Sequence, residues 1–270
     1  MTYIYTSPMK TVVNGIEIAF DDEGSGTPVV LLHGYPFNRT MWREQVAALK
    51  PKHRVITPDL RGHGESTVTP GVATMEDMAN DVAALLESLD VSVPAIGGLS
   101  MGGYVSLAFA RLFPSQVRAL LLADTRAQAD TEEAKQNREQ QAEKALSEGM
   151  EAIADGLLPK LLAPATPNER PDIVKRVREM IVSTNPAGAA AALRGMARRP
   201  NHISFLPQII APTLILVGSE DTLTPVADSE LMHREIGASS LKIIEGAGHV
   251  SNFENTDDFN HALGEFLNAL

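Results

Sequence analysis

The stretch Gly97-Gly98-Leu99-Ser100-Met101-Gly102-Gly103 sets one hydroxyl among four glycines, with VPAI before it and YVSLAFARLF after. Residues 98–102 read G-x-S-x-G between an apolar strand pattern and a helical one, the context in which that spacing forms a sharp elbow holding a serine out as a nucleophile. A serine hydroxyl attacks a carbonyl at neutral pH only with a base in hydrogen-bond reach. His249, in EGAGHVSNFE, follows the last strand pattern in a glycine-containing loop, so it is expected at the same sheet edge as Ser100. His33 reads as a structural loop residue and His63, in DLRGHGES, as a residue lining the site rather than the base. His53, His202, His233 and His261 read as surface or packing residues.

The base needs an acceptor to fix its tautomer and stabilise the imidazolium that forms. Asp221, in LVGSEDTLTP, gives the chain order Ser, Asp, His; Asp124, in LLADTR, is the rival, with the simpler expected role of opening the next helical segment or pairing with Arg126. A developing oxyanion calls for backbone donors. Met101 N–H stands at a helix start, where the dipole favours negative charge, and Tyr35 N–H in HGYP is the second candidate. Together these groups could carry out acyl transfer from an ester to water.

Such residues need a scaffold that brings them to one edge. PVVLLH (28–33), RVITPD (54–59), VPAIGGL (93–99) and VRALLLAD (117–124) are near-continuous apolar runs, as expected of strands buried on both faces. VVNGIEIAF (12–20) reads as a hairpin turning at Asn14-Gly15. TMEDMANDVAALLESL (74–89) is an amphipathic helix with a capping threonine and acidic residues in its first turn. Strand and helix in alternation predict a mostly parallel sheet with helices on both faces. From about 131 to 199 the pattern is helical only, and strands return at PTLILVG (212–218) and SLKIIEG (240–246). The expected organisation is therefore an α/β core of residues 1–124 and 208–270, with residues 125–207 inserted as a helical cap over the sheet edge. Trp42, Val46 and Leu49 read as core, and Arg198 and Arg199 as cations ending a helix.

The chain has 270 residues, 44% of them hydrophobic, and no cysteine, so disulfides and thiolate metal sites are excluded and a cytoplasmic location is expected. MTYIYTSPMK has no basic region followed by an apolar run, so no signal peptide is expected. A formal net charge of −11 opposes binding to nucleic acid or anionic lipid and argues for a neutral or cationic small substrate. No paired-histidine spacing suggests a metal, and no Gly-rich phosphate loop suggests a nucleotide.

HGYP, PDLRGHGES, GGLSMGGY, GSEDTLTP and GAGHVSNFE, in this order, resemble the α/β-hydrolase superfamily over essentially the whole chain. TMEDMANDVAALLESL and SMGGYVSLAFA narrow the resemblance to bacterial carboxylesterases grouped with enol-lactone hydrolases and cofactor-free haloperoxidases. The resemblance implies a Ser100, Asp221, His249 triad, an oxyanion hole at Tyr35 and Met101, no cofactor, and a small-molecule ester as partner. Serine at position 100 sets the chain apart from related dehalogenases and epoxide hydrolases, which use a carboxylate there. The expected activity is hydrolysis of small carboxylic esters with short acyl chains; lactone hydrolysis is the alternative, and a non-catalytic binding protein the reading from a different class.

Overall fold

The structure, a computed structural model, describes residues 8–270. The start of the chain, read above as free of a signal peptide, lies outside the described residues as far as residue 7. Strands β1 (Met9–Val13) and β2 (Ile16–Gly24) form an antiparallel hairpin, and consecutive positive φ angles at Asn14 (51°) and Gly15 (78°) make its two-residue turn. There follow β3 (Thr27–Leu32), α1 (Arg43–Leu49), β4 (His53–Pro58), α2 (Met75–Ser88), β5 (Ala95–Leu99), α3 (Met101–Leu112) and β6 (Ala119–Ala123). Five helices come next: α4 (Glu132–Glu148), α5 (Met150–Leu161), α6 (Thr166–Glu169), α7 (Pro171–Ser183) and α8 (Pro186–Ala197). The chain closes with β7 (Thr213–Gly218), α9 (Val226–Glu235), β8 (Ser239–Ile244), α10 (Ser251–Glu254) and α11 (Thr256–Asn268).

The eight strands form one sheet in the order β1-β2-β4-β3-β5-β6-β7-β8, antiparallel at β1/β2 and β2/β4 and parallel thereafter. This is the α/β-hydrolase fold: a mostly parallel sheet flanked by helices. The continuous apolar strands follow from burial on both faces. In β3, Val30 and Leu32 face the layer containing Met78, Val82 and Phe109 of α2 and α3, while Val29 and Leu31 face Val46, Leu49 and Phe259 of α1 and α11. Trp42, Val46 and Leu49 are buried in that second layer. At the start of α2, Thr74 accepts from Asp77 N–H while the Asp77 carboxylate accepts from Thr74 N–H, a reciprocal cap that satisfies two helix-end donors.

Helices α4–α8 occupy the stretch between β6 and β7, α4 packing on α8 and α5 on α7. Besides packing on α4, helix α8 closes on the chain at Gly62 and Ala73 through two glycines two turns apart. A Cβ on Gly188 would lie 1.8 Å from Gly62 O, and one on Gly195 would lie 1.6 Å from Ala73 O, so any side chain at either place would push the helix off. Between them Ala73 N–H donates to Ala191 O at 3.0 Å. At these points the contact is main chain against main chain, while Leu193 and Met196 of the same helix pack through their side chains. No helix of the described residues is long and apolar enough to cross a membrane.

Candidate active site

Parallel strands deliver their following loops to one edge, and the candidate residues leave β5, β6, β7 and β8 at that edge. Ser100 joins β5 to α3 at φ 55°, ψ −112°, a backbone state costly for a non-glycine residue. It is held there by its N–H, which donates to Ala123 O (2.9 Å), and by its carbonyl, which accepts from Tyr104 N–H (3.1 Å) and Thr125 Oγ1 (2.9 Å). The surrounding glycines have a direct steric cause: a Cβ at Gly98 or Gly102 would sit 2.5 Å or 2.1 Å from Leu32 O, and one at Gly103 would sit 2.5 Å from Thr125 Oγ1.

His249 lies between two of the other candidates. Its Nε2 is 2.8 Å from Ser100 Oγ and its Nδ1 is 2.8 Å from Asp221 Oδ2. Asp221 is buried, and its Oδ1 accepts from Leu223 N–H (2.8 Å) and Thr224 N–H (3.0 Å) while Oδ2 also accepts from Thr224 Oγ1 (2.7 Å). Burial alone would raise this carboxyl, but the neighbouring imidazole and the Thr224 donors hold it below the usual carboxylate range. A carboxylate so held favours a proton on His249 Nδ1, leaving Nε2 free to accept from Ser100.

The rival, Asp124, is fully buried but points elsewhere. Its Oδ1 accepts from Gly218 N–H (2.9 Å) and its Oδ2 from Ser251 Oγ (2.5 Å). Burial and the nearby Asp221 charge push its carboxyl well above the usual range. It neither opens a helix nor pairs with Arg126, which instead donates to Leu223 O and faces Asp228 at 3.6 Å. Asp124 therefore ties the end of β6 to the end of β7 and to the start of α10, two residues beyond His249.

The Tyr35 and Met101 amides donate to no group of the described residues. The turn carrying Tyr35 rests against the elbow, since a Cβ on Gly34 would lie 3.2 Å from Leu99 O. His33 fixes that turn: Nδ1–H donates to Gly34 O and Nε2 accepts from Leu60 N–H, both at 2.9 Å. Burial lowers its pKa to about 4, so it is neutral and its tautomer is set by those two bonds. His63 does not line the site as expected; it is wholly buried beneath Tyr35, with burial bringing its pKa down to about 3. His202 is buried and His233 bonds to Ser239, while the imidazole that meets Ser100 Oγ is that of His249.

Above the edge lies a cavity of about 520 Å³ whose walls include Ser100, Tyr35, Tyr104, Leu161, Met196 and His249. A larger, shallow groove of about 1080 Å³ beside α2 holds none of the candidate residues. Two features around the cavity had no sequence signal. Glu254 receives Gly248 N–H (2.7 Å), Ala163 N–H (2.8 Å) and Thr166 Oγ1 (2.5 Å), and His249 N–H donates to Leu161 O (2.9 Å), so the His249 loop is tied to the helical segment. Arg199, read from the sequence as a cation ending a helix, turns inward. It is buried, pairs with Asp130 at 2.7 Å and lies over the Tyr104 ring at 4.1 Å.

The fold and this edge define a class, and the chain belongs to the alpha/beta hydrolase fold family, whose model matches residues 27–256. It is 44% identical to a thermophilic esterase from Thermogutta terrifontis, solved with malate bound, over 98% of both chains with a TM-score of 0.93. It is 31% identical to 3-oxoadipate enol-lactonase 2 of Acinetobacter baylyi over 84% of this chain and 83% of that one. The enol-lactonase of Burkholderia xenovorans is 29% identical with a TM-score of 0.91, covering 96% of this chain and all of that one. The chain is thus a hydrolase of this family with esterase and enol-lactonase neighbours.

Proposed function

We propose that this hydrolase cleaves small carboxylic esters through an acyl-enzyme on Ser100, with His249 as base, Asp221 as its orienting acid, and the Tyr35 and Met101 amides as the oxyanion hole. The observation that carries the reading is the His249 imidazole, 2.8 Å from both Ser100 Oγ and Asp221 Oδ2. In the first half, Ser100 Oγ adds to the ester carbonyl as its proton passes to His249 Nε2. The two free amides receive the developing negative oxygen. Collapse of the tetrahedral adduct breaks the ester C–O bond, and the leaving alcohol takes the proton from His249. Water then gives a proton to the same nitrogen and adds to the acyl carbon, and release of the carboxylic acid restores Ser100.

Residues 125–207 serve as the cap in this reading. A space of about 520 Å³ is at the lower end of small-molecule sites and supports short acyl chains over long ones. A lactone is an internal ester that the same groups would open, and the likeness to an enol-lactonase supports it as the second reading. Fluorophosphonate labelling near neutral pH tests the mechanism: wild type should gain one adduct on Ser100, and absence of labelling at Ser100 would overturn it.

A further inference from the structure

The net charge of −11 led to the expectation of a neutral or cationic substrate, but the cavity beside Ser100 has the opposite sign. Its lining holds Arg126, Arg138, Lys144 and Lys160 against a single carboxylate, Asp130. Arg126 is matched by Asp228 behind it. Asp130 is shared by two guanidiniums, Arg138 through Nε and Arg199 at 2.7 Å, so that this largely buried trio carries one positive charge in excess. Neither Lys144 nor Lys160 pairs with a carboxylate among the described residues.

The chemistry of Arg138 is specific. Its Nε side is taken by Asp130, while its Nη1 finds only Met196 Sδ at 3.5 Å, a weak acceptor for a charged donor. Guanidinium N–H groups in a cavity wall are matched best by an oxygen anion, which can accept two parallel bonds. Arg138 and Lys144 project from α4, and Lys160 from the last turn of α5. Lys160, Asn137 and Gln141 are exposed, so the cavity opens to water between these two helices and its mouth is cationic. Local charge of this kind, focused by low-dielectric walls, governs what enters a cleft more than the charge of the whole chain does.

We infer that the cavity is built for esters or lactones whose acyl part carries a second, ionised carboxylate, received by the Arg138 guanidinium and drawn in by Lys144 and Lys160. This rests on the hydrolase reading of Ser100 and adds to it the substrate's charge. Hydrolysis of such a compound consumes one water, breaks the ester C–O bond and releases a dicarboxylate and an alcohol, or a hydroxy-dicarboxylate from a lactone.

The test compares monomethyl succinate, glutarate and adipate with the corresponding methyl ester amides, in which CONH2 replaces the carboxylate at nearly constant shape. With the wild-type protein at low salt, kcat/KM for the best acid should exceed that of its amide by about 10- to 100-fold, the range of a charge-assisted hydrogen bond. Arg138→Gln should collapse this ratio toward one. Because Arg138 also packs against Asp130, the double variant Lys144→Gln/Lys160→Gln at the cavity mouth provides a second reading, and it should lower the ratio by roughly threefold and flatten its salt dependence. Equal kcat/KM for acid and amide in wild type, or a ratio unmoved in both variants, would overturn the inference. If wild type hydrolyses neither compound, the hydrolase reading is what has failed. Calorimetric titration of Ser100→Ala with glutarate then decides the anion site separately: binding weakened in Arg138→Gln supports it, and no binding overturns it.

Discussion

Replacing Asp221 with asparagine isolates what the carboxylate does for His249. Asparagine keeps the volume and one carbonyl oxygen. Oδ1 of Asp221 accepts two backbone N–H groups, from Leu223 and Thr224, so the amide oxygen of the variant will settle there and its NH2 will face His249 Nδ1. An NH2 in that position demands an acceptor, which moves the imidazole proton to Nε2 and leaves Ser100 without a base. The serine-protease example of the same exchange puts the cost at about 10⁴ in kcat, which at 1.36 kcal/mol per tenfold is about 5 kcal/mol of barrier. Asp124→Asn supplies the control at the rival acid. Asp124 spends its two oxygens on Gly218 N–H and Ser251 Oγ rather than on His249, so asparagine of the same shape leaves the base and its partner untouched. Gly218 N–H keeps its acceptor, Ser251 Oγ can turn to accept from the new NH2, and asparagine tolerates the φ of 44° found at this position. Its cost should stay within about tenfold, the worth of one rearranged hydrogen bond. Steady-state kinetics on a short-chain p-nitrophenyl ester would be measured for both variants, after circular dichroism shows that each is folded. If Asp124→Asn proves the more damaging by a wide margin, the acid has been misassigned.

Ser100→Ala should keep the melting temperature within a few degrees and lose on the order of 10⁶ in kcat; residual activity of more than a few per cent would sink the nucleophile. Gly102→Ala brings a methyl to 2.1 Å from Leu32 O, a backbone atom that cannot swing aside, so it should destabilise by at least ~2 kcal/mol and lower activity with it. An unchanged urea midpoint would refute the steric account of the elbow. His63 stays neutral in the folded protein down to about pH 3, while its unfolded value is near 6.5. Its contribution is thus fully present above pH 6.5 and is lost as pH falls toward 3, because the unfolded chain takes up the proton first. Comparing wild type with His63→Asn by urea unfolding, the stability gap should narrow by about 3 kcal/mol between pH 7 and pH 4; a constant gap means that His63 is not held neutral by burial.

Much of this architecture was legible in the chain because buried parallel strands and sharp turns leave few residue choices. Runs such as VVLL and ALLLA have no polar positions because both sheet faces are covered, and Asn14-Gly15 marks a turn that needs positive φ twice. Ser100, Asp221 and His249 each follow a strand, so their meeting at one edge comes from topology. What could not be read depends on side chains meeting across long stretches of sequence. Arg199 ends a helix in a position that normally favours a solvated cation, and only the folded arrangement brings Asp130 and Tyr104 close enough to turn it inward. Asp124 and Asp221 are the same residue type at equivalent strand ends, and what separates them is Ser251 and Gly218 on one side and His249 on the other. The cationic cavity was hidden for a related reason: net charge averages over a surface, whereas Arg138, Lys144 and Lys160 converge on one space.

The glycine seam beneath α8 bears on how the protein behaves when warmed. Side chains that pack two elements together can change rotamer without either backbone unfolding. Gly188 and Gly195 leave no side chains at their contacts with Gly62 and Ala73, so there is nothing at those two points to exchange. Heating should loosen the side-chain contacts of α4 and α5 before it shifts the backbone of α8 at these two points. The longest acyl chain accepted should therefore be nearly the same in the cold and just short of unfolding, with turnover rising while chain-length preference holds.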